Sequence, residues 1–205
     1  MNRRELLKQI ALLTGGVVVG GEVFLTGCST GNKSKALFSD THIALLDELG
    51  ETIIPATDTP GAKAAKIGEF MQAIVTDCYT QEEQNIFVKG MENINVLCEK
   101  QLGKNFMDCN AEERKGFVIS LEKEAKAYNE NIKQKNEADK AAAEAKGAIF
   151  IPAPLHYYSM MKQLTLWGFF TSKTGMTETL RHVAVPGRYD GSAPYAAGEK
   201  AWAGD

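Results

Sequence analysis

The residues best suited to chemistry in this 205-residue chain are three carboxylates in one short run, Asp47, Glu48 and Glu51 within Leu45-Leu46-Asp47-Glu48-Leu49-Gly50-Glu51. On a helix, positions 47 and 51 share a face, so a paired acid and base is conceivable there. The competing reading is a solvated or capping cluster, and the rest of the chain favours it. There is no G-x-S-x-G elbow and no Gly-rich dinucleotide fingerprint after a strand. His42, His156 and His182 lie far apart, with no motif that pairs any of them with a nucleophile. Independent catalysis is therefore not expected.

Three cysteines, Cys78, Cys98 and Cys109, form no C-x-x-C pair, and with the scattered histidines they offer no zinc or haem ligand pattern. In an oxidising compartment the odd count permits one internal disulfide with a thiol left over, or a bridge to another chain. The alternative is three buried small apolar side chains. The sequence does not choose which cysteines pair.

Cys28 stands apart, because Leu25-Thr26-Gly27-Cys28 matches a lipoprotein cleavage box. The residues before it read as an export signal: Arg3, Arg4 and Lys8 are basic, and a glycine-diluted apolar run follows over 10–21. That run is well short of the roughly 20 apolar residues a spanning helix needs. Arg3-Arg4-Glu5-Leu6-Leu7-Lys8 resembles a twin-arginine signal, whose route carries folded proteins. The expected layout is a signal over 1–27, a lipidated tether over 28–38, a helical domain over 39–185 and an extended tail over 186–205. Acyl chains on Cys28 would hold the chain to a membrane. The expected location is the bacterial cell envelope, facing the periplasm.

Composition adds limits. With 23 basic and 26 acidic residues the net charge is −3, and no basic stripe suits nucleic acid. The length suffices for one domain with a real core.

The elements that must position these residues are helices. Ser39-Asp40-Thr41-His42 opens an apolar-periodic run that Pro55 closes, and a second helix is expected over 65–77 with Ile67, Phe70 and Ile74 on one face. Thr80-Gln81-Glu82-Glu83 and Asn110-Ala111-Glu112-Glu113 are capping boxes, each launching a further helix. Residues 129–146 hold strong helix formers but few large apolar side chains, and read as a charged helix extension or a mobile excursion. Leu155 to Phe170 is apolar on nearly every face, as suits the centre of a bundle or a helix that lends a face to a partner. Strand signals are nearly absent. The fold class expected is all-α, a single irregular helical bundle with an extended C-terminal tail.

Three stretches carry a resemblance. They are Leu45 to Pro55 with Thr57-Asp58-Thr59-Pro60-Gly61-Ala62, then Leu164-Thr165-Leu166-Trp167-Gly168-Phe169-Phe170-Thr171-Ser172, then Val185-Pro186-Gly187-Arg188-Tyr189-Asp190-Gly191. In order and spacing the chain resembles the small third subunit of gluconate 2-dehydrogenase and related flavin-dependent sugar and polyol dehydrogenases. The resemblance implies a non-catalytic accessory subunit that supports maturation, co-export and anchoring of a catalytic flavoprotein. It implies no cofactor on this chain, FAD on the partner, and a cytochrome c subunit as an electron acceptor. Two regions depart from the family pattern, the charged 129–146 stretch and Lys173 to Thr177.

Residues expected at a partner interface are Thr57, Asp58 and Pro60 in the proline-bounded loop, Trp167 and Phe170, and Pro186, Arg188 and Tyr189 in the tail. Tyr, Trp and Arg are the types enriched at binding hot spots. A competing reading is a free-standing envelope lipoprotein that stacks a small carbohydrate on Trp167, Tyr157 and Tyr158.

Overall fold

Helix starts are where this sequence is most explicit, and the computed structural model, which describes residues 37–185, 187, 191–192, 194 and 196–203, places five α-helices accordingly. Helix α1 (Asp40–Ile53) begins at Ser39, whose Oγ accepts the His42 N–H while His42 Nδ1 accepts the Ser39 N–H. Helices α3 (Gln81–Leu102) and α4 (Ala111–Ala145) start on the Thr80/Glu83 and Asn110/Glu113 capping boxes read from the sequence. Gly103, at φ 72°, ends α3 in the left-handed conformation that glycine adopts without steric cost.

Helix α2 (Ile67–Cys78) differs. It follows a short 3-10 turn over Ala62–Ala65, and its cap residue Lys66 is left-handed and contributes no side-chain cap. The open N–H of Gly68 is taken instead by Asp47 Oδ1 of α1, at 2.8 Å. A neighbouring helix thus does what a local Ser or Asp does elsewhere. The side chains α2 buries fully are Ile67, Met71 and Val75, whereas Phe70 and Ile74, expected on the core face, are half-buried. The stripe is rotated because α2 packs against α1 on one side and the apolar α5 on the other.

Helix α5 (Tyr157–Thr171) touches all four other helices. It buries Tyr158, Met161, Leu164 and Phe169 in a core that also holds Leu46, Leu49, Met71, Phe87 and Met91. Its near-continuous apolar sequence is the consequence of that central place.

The charged stretch over 129–146 is helical, part of a 35-residue α4 that runs about 50 Å. Two amides one heptad apart fasten the returning chain to it. Asn129 Oδ1 accepts the His156 N–H at 2.9 Å and Asn136 Oδ1 accepts the Ala153 N–H at 3.0 Å. Strands are absent among the described residues. An isolated bridge joins Arg181 to Trp202, with the Arg181 guanidinium 4.1 Å from the indole centre, so this part of the tail folds back on the end of the domain.

Helices α3 and α5 approach closely at Gly90, where a Cβ would overlap the Tyr157 ring. Helix propensity alone favours Gly90→Ala by up to about 1 kcal/mol, but overpacking costs about 1–3 kcal/mol and should win. At Gly116, also helical, a Cβ would meet nothing within 4 Å, since it would point into the open on the exposed side of α4. Urea denaturation should therefore show Gly90→Ala destabilised and Gly116→Ala stabilised.

Candidate functional site

At the end of α1 the carboxylate of Glu51 faces two backbone amides that lie far apart in the following loop. Oε1 accepts the Ala56 N–H at 2.8 Å and Oε2 accepts the Lys63 N–H at 2.9 Å. The Ala62 N–H bonds to the Ile54 carbonyl at 2.9 Å and closes the neck of the loop. Bonds to an ionised acceptor are roughly twice as strong as neutral ones, so a single side chain fixes both limbs of 54–63. Gly61 lies directly against that carboxylate, and a Cβ there would intrude on both of its oxygens.

The other two carboxylates are similarly committed. Asp47 caps α2 as described. Glu48 pairs with Lys63 and, at 2.6 Å, with Nη1 of Arg114 from α4. Arg114 in turn donates to the carbonyls of Phe106, at 3.1 Å, and Met107, at 2.8 Å, in a 3-10 turn over Phe106–Asp108. Burial pulls the Glu48 carboxyl up, but the hydrogen bond from Lys63 and the charges of Arg114 and Lys63 outweigh it and hold the group below its ordinary value. Asp47, Glu48 and Glu51 thus form a brace, in keeping with the capping reading of the cluster.

The brace presents a loop tip. Thr57 and Asp58 are exposed and Pro60 is half-buried, with Thr57 Oγ1 donating to Asp58 Oδ1 at 3.0 Å. The 62–65 turn at the base of the loop also packs against α5. On α5, Leu166, Trp167 and Phe170 remain 39, 51 and 41% exposed. Trp167 is not loose, because its ring meets Phe70 edge-on with centroids 5.4 Å apart. Beside it is a hollow of about 300 Å³ lined also by Tyr79, Leu155 and Gln163.

Tyr157 and Tyr158 do not join Trp167 as a sugar platform. Both are buried, so the stacking trio of the carbohydrate reading is not assembled. The histidines are dispersed. His42 belongs to the α1 cap, His182 is exposed near the end of the domain, and His156 caps α5 through its Nδ1 and the Tyr158 N–H at 3.2 Å. Burial lowers the His156 pKa, against the opposing charge of Glu124. Cys98 and Cys109 are buried with their sulfurs 3.4 Å apart, while Cys78 is exposed. Arg3, Arg4, Cys28, Pro186, Arg188 and Tyr189 lie outside the described residues. Sequence reasoning passed over Arg114, which is 66 residues from Glu48, and Tyr79 beside the hollow. No local spacing signals either of them.

Gluconate 2-dehydrogenase subunit 3 is the family that matches residues 40–187. The chain belongs to that family. No curated protein and no solved structure matches it. Subunit 3 is a component of a gluconate 2-dehydrogenase complex, and the matched span takes in the brace, the loop and the exposed end of α5. Among the described residues of this subunit 3 chain, no helix is long and apolar enough to cross a membrane, and no group of three or more His, Cys, Asp or Glu could hold a metal ion.

Because the folded-state pKa of Glu48 is depressed, its stabilisation is present above the ordinary value of 4.5 and is lost as pH falls through the folded value. Glu113 and Glu122 are held low by Lys104 and Lys162 and share the acid slope. Glu48→Gln should cost about 1–2 kcal/mol at neutral pH and flatten, without abolishing, the loss of stability below about pH 4.5. Urea midpoints across that range for both proteins would measure the difference.

Proposed function

We propose that this subunit 3 chain is a non-catalytic accessory subunit that docks a flavin-dependent dehydrogenase acting on a sugar, sugar acid or glycoside. The observation that carries the reading is the aromatic end of α5. Leu166, Trp167 and Phe170 are exposed on a helix whose remaining faces are core, in a family defined as a subunit. Burying such side chains against a partner is favourable, and Trp is among the residue types that dominate interface energies. The loop tip at Thr57 and Asp58 supplies a polar element held in a fixed shape.

Export and anchoring extend the same proposal. A flavoprotein acquires FAD in the cytoplasm, so a folded escort bearing the Arg3-Arg4 signal would let both proteins cross together. Lipid on Cys28 would then retain the complex at the membrane, with electrons passing from the partner's flavin to a separate acceptor such as a cytochrome c. The exposed α5 end supports a protein partner over a free carbohydrate, since the two tyrosines needed for stacking are in the core.

The test is purification of the tagged full-length chain from native membranes, followed by mass spectrometry and a flavin absorbance spectrum. A stoichiometric flavoprotein is expected, and a colourless chain purified alone would sink the proposal. Replacing both Trp167 and Phe170 with Glu should weaken capture by about 30-fold or more while the helical circular dichroism remains. Arg3→Lys with Arg4→Lys should leave both proteins in the cytoplasm.

A further inference from the structure

We propose that Cys98 and Cys109 form an internal disulfide site, closed by an external disulfide donor after the helical fold has brought the two thiols together. The sequence left three cysteines equivalent, but the fold separates them. Cys98 is on the last turns of α3, and the chain reverses at Gly103 so that Cys109 returns beside it, with the sulfurs 3.4 Å apart. Cys78 ends α2, before the start of α3, and the length of α3 between residues 81 and 98 puts roughly 25 Å of helix in the way.

Contacts that do not involve sulfur impose this approach. Asn95 Oδ1 accepts the Phe106 N–H at 3.2 Å, which draws the returning segment onto α3. Arg114 holds the carbonyls of Phe106 and Met107, and Lys104 pairs with Glu113 at 2.8 Å across the same corner. The bond is therefore not needed to reach the fold. A chain that folds reduced in the cytoplasm would carry the pair ready for oxidation elsewhere.

Burial sets the order of events. Cys109 is 5% exposed and Cys98 is 0% exposed, so the Cys109 thiolate meets the donor first. It attacks the donor disulfide, forming a mixed disulfide and releasing one donor thiol. Cys98 then loses its proton and attacks Cys109 Sγ, which expels the second donor thiol. In sum the protein gives up two protons and two electrons, and the donor disulfide becomes two thiols. In the reduced pair burial, with the neighbouring Cys109, pushes the Cys98 thiol up to about 12, which disfavours Cys98 as the first attacker. Closure of this short loop stabilises mainly by restricting the unfolded chain.

The reduced full-length chain should be exposed to glutathione disulfide, quenched with an alkylating reagent in denaturant, and peptide-mapped. The expected result is a Cys98–Cys109 linkage, with glutathione on Cys78 marking that the donor has acted. Oxidation should raise Tm by about 5–10 °C, and neither Cys98→Ala nor Cys109→Ala should show that rise. Cys98→Ala should also trap glutathione on Cys109. Alkylated Cys98 and Cys109 in a sample whose Cys78 carries glutathione would overturn the proposal, as would a bond from Cys78 to either.

Discussion

Glu51 fixes a shape on which the recognisable part of this molecule depends. Ten residues of loop must leave α1 and re-enter the bundle as a turn that packs on α5, and two backbone N–H groups on opposite limbs converge on one carboxylate to make them do so. The constraint propagates in both directions along the sequence. Gly61 must be small because a Cβ there would intrude on the carboxylate, while at the buried Gly50 a Cβ would meet Ala62 and Ile67 at ordinary contact distance. Asp47 and Glu48, on the adjoining turn, secure the start of α2 and the corner near Phe106 through Arg114. Conformational entropy opposes any ordered loop, so a fixed loop implies strong local compensation.

Helix α5 has two duties that compete for the same side chains. Its Tyr158, Met161 and Phe169 close the core, while Leu166, Trp167 and Phe170 stay at the surface. An isolated domain gains nothing from the second set, and this exposed aromatic area is what the proposed docking surface would use. Phe70 supports Trp167 from α2, so in the proposed docking the aromatic end would be pre-positioned and little ordering would be left to offset.

Much of this was legible in the sequence, for local reasons. The starts of α1, α3 and α4 are written in Ser39, Thr80 and Asn110, because caps act within one turn. The all-α class followed from repeated caps and missing strand signals. What was not legible was nonlocal. The buried stripe of α2 is set by packing on two neighbours, and its cap comes from Asp47, 21 residues away. The 129–146 stretch left two readings open because its anchors are Asn129 and Asn136, residue types that look like ordinary surface. Likewise Cys98 and Cys109 became a pair only when Gly103 turned the chain.

The family, the brace and the exposed helix end meet in one claim, that the Trp167 end of α5 is the docking surface for a dehydrogenase. Site-specific photo-crosslinking in native cells addresses it directly, with a photoreactive residue at Trp167 and, as a control, at the exposed Ile119 of α4. Docking through α5 predicts a crosslinked flavoprotein from position 167 and none from 119. Crosslinks from 119 alone would contradict it and move the interface to α4.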